Sequence, residues 1–363
     1  MTSDACWKDI IAFGGAIVAL CLGAGFASGQ EILQFFAHFG LWGSLGAGFI
    51  AWGLFAWFSA VILEDGRRLQ LEDASQIYAH YCGRYIGAFY EWFVPILLFL
   101  VFAVMISGAG ATVSEQYGAN PNMGRIGLAT VALLTVLLGL RRLVHIVGYI
   151  GPVIIGFAMA MGLASIASHP HGIGTADQVL ATIDAPRAAA NWALSGLLYA
   201  ALCLVGLMPF LAGVGRQARS TTDARLGGIF GGTTFAFGTM VLSMGLLSTI
   251  GTVYNTQIPS LVIAAQVAPA LSSVFAIMML AAIYTTAVPL LWITCNRIVT
   301  DEASRAYKGI ALLLTVIACF GGQLQFSKMV GIVYPAIGYM GIVLIGGMIY
   351  TKYVRRKPAA SIE

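Results

Sequence analysis

Residues 22–33 read LGAGFASGQEIL, directly after an apolar run from Ile10 to Leu22. Three glycines, a serine, a glutamine and a glutamate carry more chemistry than a membrane helix needs. Glycine at 23, 25 and 29 admits unusual backbone angles and lets a ligand approach the main chain closely. Ser28 and Glu31 have the Ser-x-x-Glu spacing of a capping box. The pattern predicts a helix that unwinds through Gly23, Ala24, Gly25, Phe26 and Ala27 and restarts with Ser28 as its cap, ahead of Gly29 and Gln30. Where a helix unwinds, carbonyls of the first piece and N–H groups of the second lose their partners. Neither can face hydrocarbon, so both must line an enclosed space. There the carbonyls suit a small cation and the N–H groups, from Ala27 to Gln30, suit an anionic group such as a carboxylate.

The elements that would hold such a site follow from composition. Of the 363 residues 59% are hydrophobic and only 9% charged, too little polar surface to coat a water-soluble globule. Apolar stretches able to cross roughly 30 Å of hydrocarbon recur along the chain. They fall at 8–38, 41–64, 87–117, 124–141, 143–168, 190–214, 226–250, 272–297, 308–322 and 328–351, the ninth being short. With the N-terminus inside, only Arg125, Arg187 and Lys328 of the 19 basic residues fall outside, which orients the spans and places both termini in the cytoplasm. The net charge of +4 reflects these orientation signals near anionic lipids and calls for no nucleic-acid partner. No cysteine lies in an outside loop, so no disulfide is expected. CxxC and HExxH are absent and the five histidines are scattered, which gives no pattern for a transition metal. The opening segment through Ala27-Ser28-Gly29 has some features of a signal peptide, but Asp4 and Asp9 and the symmetry below favour its retention.

Ten spans divide into five and five: repeat one at 8–168, an outside loop at 169–189, repeat two at 190–351 and a cytoplasmic tail at 352–363, all within one transmembrane domain. An odd number per half inverts the second repeat relative to the first. The expectation is an all-α membrane protein with a 5+5 inverted repeat in which helices 1 and 6 are both discontinuous. Span six contains LLYAALCLVGLMPFLAGVG, and Gly206 with Pro209 predicts a break around Cys203 to Leu207; an ordinary proline kink is the rival reading. The stretch LEDASQIYAHYCGRYIG is read as a connector.

GAGFASGQE, together with the ten spans and the charge pattern, resembles the YkvI-type family of bacterial membrane proteins, a branch of the amino acid-polyamine-cation superfamily with the LeuT fold. The resemblance covers essentially the whole chain. It implies a sodium site between carbonyls near Ala19 and Leu22 in span one and Ala282, Thr285 and Thr286 in span eight. The rival reading is that both threonines bond to carbonyls of their own helix. A charged gate over the substrate would pair Glu31 with Lys328, at the start of span ten; a cap, or direct contact with a substrate ammonium or proton, are alternatives for Glu31. Phe26, Tyr199 and Tyr284 are candidate walls, and Ser107 a candidate hydroxyl or packing residue.

The function so implied is secondary active transport in the bacterial cytoplasmic membrane: sodium-coupled symport of a small amino acid or related amine, with sodium as coupling ion and no other cofactor. Rivals are proton coupling through Glu31, an intramembrane hydrolase using Ser28, which lacks a deep histidine as base, and a receptor or scaffold.

Overall fold

The computed structural model describes residues 6–21, 23–138 and 143–354, without the side chains of Ala19, Ala24 and residues 143–155. The opening span comprises three helices, α1 (Trp7–Cys21), α2 (Ala24–Ser28) and α3 (Gln30–Phe35), followed by a 3₁₀ turn at Ala37–Phe39. Then come α4 (Gly40–Leu69), α5 (Ile77–Tyr117), α6 (Pro121–Leu138), α7 (Leu143–Ser168) and the short connecting α8 (Gly172–Leu180). The second half holds α9 (Trp192–Arg216), α10 (Thr221–Ser248), the short α11 (Ile250–Val253) and α12 (Pro259–Val267), α13 (Pro269–Ile298), α14 (Arg305–Gly321) and α15 (Phe326–Ile349). No strand occurs among the described residues.

Among the described residues seven helical segments are long and apolar enough to cross a membrane, fewer than the ten spans expected. The shortfall has local causes. α1 stops after 15 residues and α14 has only 17, while α7, 26 residues long, is described with its side chains only over Gly156–Ser168.

Two helix groups organise the molecule. α4 packs against both α9 and α10, α1 lies along α10, and α15 covers α9; α5, α6, α13 and α14 pack with one another. In lipid no hydrophobic force drives helices together, so close backbone approach must do so. Small residues provide it. A methyl group on Gly232 of α10 would sit 2.8 Å from Ala56 of α4, and one on Gly196 of α9 would collide with the Ala47 carbonyl. Hydroxyl and amide caps define several starts: Asn191 accepts from Leu194 N–H at α9, and Ser304 from Tyr307 N–H at α14. Ser220 accepts from Asp223 N–H at α10 and donates to that side chain.

The sixth span corrects the sequence expectation. α9 runs unbroken from Trp192 to Arg216 with Pro209 inside it. Proline at 209 removes the donor that would satisfy the carbonyl of Val205. Tyr78 supplies the missing donor, its hydroxyl bonding Val205 O at 2.7 Å. The freed carbonyl is satisfied within the protein, so the helix has no need to unwind. Tyr78 belongs to the stretch read as a connector, which forms the first turns of α5 before a kink at Gly83 (φ 78°). Three residues on, Tyr81 donates to Asp65 Oδ2 at 2.6 Å, and Lys352 approaches the other oxygen at 3.6 Å.

Candidate functional site

The break in span one is present and more elaborate than a single interruption. Gly23 N–H turns back to Cys21 O at 3.0 Å, α2 forms one short turn, and Gly29 then adopts φ 77°. That left-handed angle favours glycine, and a Cβ there would also lie 2.7 Å from Ser260 Oγ of α12. Gly29, not Ser28, occupies the N-cap of α3, and the expected capping box does not form. Ser28 Oγ donates to Gly25 O at 2.7 Å and accepts from Gln30 N–H at 3.1 Å, but Glu31 does not reach back. Three of the N–H groups expected to face an anion are already taken. Ala27 bonds to Gly23 O, Gly29 to Phe26 O and Gln30 to Ser28 Oγ.

Glu31 turns toward α9. Tyr199 donates to its Oε1 at 3.0 Å, while Oε2 abuts Gly25, where a methyl group would overlap it and approach the Tyr334 hydroxyl to 2.8 Å. Glu31 is 7% exposed and makes no ion pair among the described residues. Lys328 is exposed. The expected Glu31–Lys328 gate is therefore not formed in this conformation. The contact between α3 and α15 is made one turn later, where Gln34 Nε2 donates to Ser327 O at 2.8 Å. A neutral amide can bridge buried backbone without the desolvation cost of an ion pair.

The aromatic wall extends beyond the residues foreseen. Tyr199 stacks on Phe235 at 6.2 Å with rings 5° apart and meets Phe36 edge-on at 4.8 Å, and Phe26 lies 5.7 Å from Phe235. Cys21 and Cys203 lie within electrostatic range of Glu31. Cys21, Phe235 and Tyr334 were missed by the sequence reading; a tyrosine before Pro335 in mid-span was the available signal for the last. Ser107 is not at this site, since its hydroxyl tethers Leu324 O at 2.6 Å in the turn before α15. Gly206 is exposed, with no atom within 4 Å of a built Cβ. Tyr284 is not a wall either: its hydroxyl pairs with Thr135 of α6 at 2.8 Å.

On α13, the hydroxyls of Thr285 and Thr286 both donate to Ala282 O at 3.0 Å, gathering three oxygens. Gly23 faces this group, a built Cβ there standing 3.9 Å from the Thr286 methyl. Each threonine has committed its proton and keeps lone pairs for a cation, whereas the Ala282 carbonyl is already occupied twice. Of the span-one ligands, Leu22 lies outside the described residues, and Ala19 is described only as part of α1.

The surroundings are asymmetric. Residues 30–37 are all buried, sealed by Ser195 Oγ donating to Phe35 O at 2.7 Å and Ala188 N–H to Gln34 O at 3.0 Å. On the α1 side, Leu20 is 46% exposed and Cys21, Gly23 and Cys203 are only half-buried. A void of about 10 Å³ beside Tyr199 and Phe235 has room for one water at most. Gln30 is fully buried with neither amide atom bonded, and Ser260 Oγ is likewise unbonded across from Gly29.

No protein-family model matches the chain. Two curated proteins of Bacillus subtilis (strain 168) align with nearly all of it. The uncharacterized membrane protein YkvI is 25% identical over 350 residues, 94% of this chain and 95% of its own length. The uncharacterized protein YyaD is 23% identical over 340 residues, 93% and 96%. Among solved structures, the inward-facing conformation of Mhp1 superposes with a TM-score of 0.63 at 12% identity, covering 97% of this chain and 78% of that one. A mutant manganese transporter of Eremococcus coleocola gives 0.58 at 16% identity, covering 96% and 79%. Full-length alignment, a broken first helix and two interleaved helix groups agree: this is a multi-pass membrane protein with the LeuT fold, similar over nearly its whole length to YkvI-type proteins.

Proposed function

We propose that the protein is a secondary active transporter that carries a small amino acid or related amine, coupled to sodium, by alternating access around the break in its first span. The observation that supports this most is the break itself: a membrane helix opened from Cys21 to Gly29, with a buried carboxylate beside it, inside the LeuT fold. Uninterrupted helices suffice to anchor a receptor or scaffold, and unwinding one at depth is costly unless the freed groups serve a cavity. Ser28 gives no support to hydrolysis, because its hydroxyl is held between Gly25 O and Gln30 N–H as a local cap.

The seal on the α3 side and the exposure on the α1 side suit a carrier resting open toward the face where the chain begins. We place that face in the cytoplasm of a bacterial cell, following the basic residues. Sodium would sit at Thr285 and Thr286, its binding turning the two hydroxyls away from Ala282 O. Coupling requires that sodium and cargo favour different members of the open and closed states.

Melting of the purified protein at constant ionic strength, with sodium exchanged for potassium, tests the ion. Sodium is expected to raise the melting temperature of the wild type and not that of a Thr285→Ala, Thr286→Ala double variant. A proton-coupled second reading is favoured by the unpaired Glu31 carboxylate. Uptake driven by a proton gradient without sodium, and abolished in Glu31→Gln, would replace the sodium reading with it.

A further inference from the structure

Residues 249–268 join α10 to α13 and carry the short α11 and α12. Pro259 starts α12, and the two residues before it, Gln257 and Ile258, have N–H groups that the helix itself cannot satisfy. Glu115, near the end of α5, takes both. Its Oε1 accepts from Gln257 N–H at 2.6 Å and its Oε2 from Ile258 N–H at 2.9 Å. The carboxylate makes no ion pair among the described residues, and both of its oxygens go to this one segment. A negative charge at the start of a helix is favourable in its own right.

The segment is braced as a unit. Gln266 Nε2 of α12 donates to Thr252 Oγ1 of α11 at 3.0 Å, and Gln257 Oε1 accepts from the N–H of Phe326, the first residue of α15, at 2.8 Å. A strap tied to α5 and α15 thus lies against the break. Pro259 and Ser260 abut Gly29, where a methyl group would stand 3.4 Å from the proline Cβ and 2.7 Å from Ser260 Oγ. The seat is poor. Ser260 Oγ and both amide atoms of Gln30, the residue after Gly29, are buried without a hydrogen bond, and buried polar groups left unpaired favour separation. The hold comes from the rim, where Glu115 is exposed.

We infer that Glu115 is the clasp of this strap: its carboxylate keeps α12 down on the α3 side of the break, and that side opens only when both of its bonds part. Glu115 is a positioning residue that acts through α12. The clasp rests on the transporter reading for its purpose, since a carrier exposes its site to each side in turn and a tethered strap is a part able to move on this one.

The test uses the full chain with its native cysteines replaced and one reporter, Ser260→Cys, exposed to a water-soluble maleimide. With Glu115 in place the reporter is expected to label slowly. Glu115→Ala should speed labelling about tenfold, the equivalent of two ordinary hydrogen bonds at a solvent-exposed rim. Glu115→Gln, of the same size, should speed it as well, because its amide turns a donor toward one of the two N–H groups. Ser59→Cys, buried where α4 meets α10, reports general loosening and should stay slow in all three backgrounds. The inference is overturned if neither substitution speeds labelling at 260, or if labelling at 59 rises in step with it. Uptake of a panel of amino acids and amines into proteoliposomes separates the clasp from the transporter reading. Release of the strap by both substitutions, with no uptake of any solute by the wild type, would uphold the clasp and sink the transporter. Wild-type uptake with labelling at 260 indifferent to Glu115 would do the reverse.

Discussion

Gly29 shows how one residue holds the site open. Its positive φ and the nearness of Ser260 leave no room for a side chain. Gly29→Ala should cost about 1–2 kcal/mol from the left-handed backbone alone, more if Ser260 must move, and a melting curve of the purified variant reads it. An unchanged melting temperature would mean that the turn is not held as described. Glu31 illustrates a second lesson at this scale. Its spacing from Ser28 advertises a cap, yet its side chain goes to Tyr199, 168 residues away. Local spacing shows which bonds are geometrically open and says nothing of the distant competitor. Tyr199 supplies the carboxylate with a phenol donor, while Phe26 O takes the Gly29 N–H and Ser28 Oγ the Gln30 N–H beside it.

Among the elements, α1 to α3 and α9 make an instructive pair. Both were expected to break, and only the opening span does. Between Leu22 and Glu31 three glycines and three polar side chains, Ser28, Gln30 and Glu31, lie within one stretch, so helix is disfavoured there. In α9 a single proline perturbs an otherwise strong helix, and Tyr78 satisfies the one carbonyl it frees. Tyr78→Phe should therefore leave Val205 O unpaired and destabilise the protein by about 1–3 kcal/mol. Combining it with Pro209→Ala, which restores the helix's own donor, should recover most of that loss in a thermal melt. Independent, additive losses would show that the tyrosine does not serve the proline. α13 behaves as membrane threonines usually do, with Thr285 and Thr286 bonded to their own helix, and only ion binding can show whether they have a second role.

For the whole molecule, burial is unequal across the site, closed on the α3 side and partly exposed on the α1 side. Residue 206 faces open space, whereas residue 34 is buried under the α3 seal. In a background with the native cysteines replaced, Gly206→Cys should react with a water-soluble maleimide many times faster than Gln34→Cys. Equal rates, or the opposite order, would contradict the asymmetry. Labelling of right-side-out against inverted vesicles would also fix which face is cytoplasmic, the point on which the basic residues make a firm expectation.

Composition and local pattern by themselves determined that the chain lives in lipid, roughly where its helices run, and that the first span opens between residues 22 and 29. Those properties depend on nearest neighbours in the chain: hydrophobic run length sets a crossing, and clustered glycines with polar side chains undo a helix wherever they occur. Only the tertiary structure decided that the sixth span stays whole, that Glu31 joins Tyr199 and not Lys328, that Tyr334 closes on Gly25, and that Phe235 joins Phe26 and Tyr199 in the wall. Each of these is a contact between groups far apart in sequence. Whether a freed carbonyl or a buried carboxylate finds a partner is settled by which side chain packing brings within three ångströms.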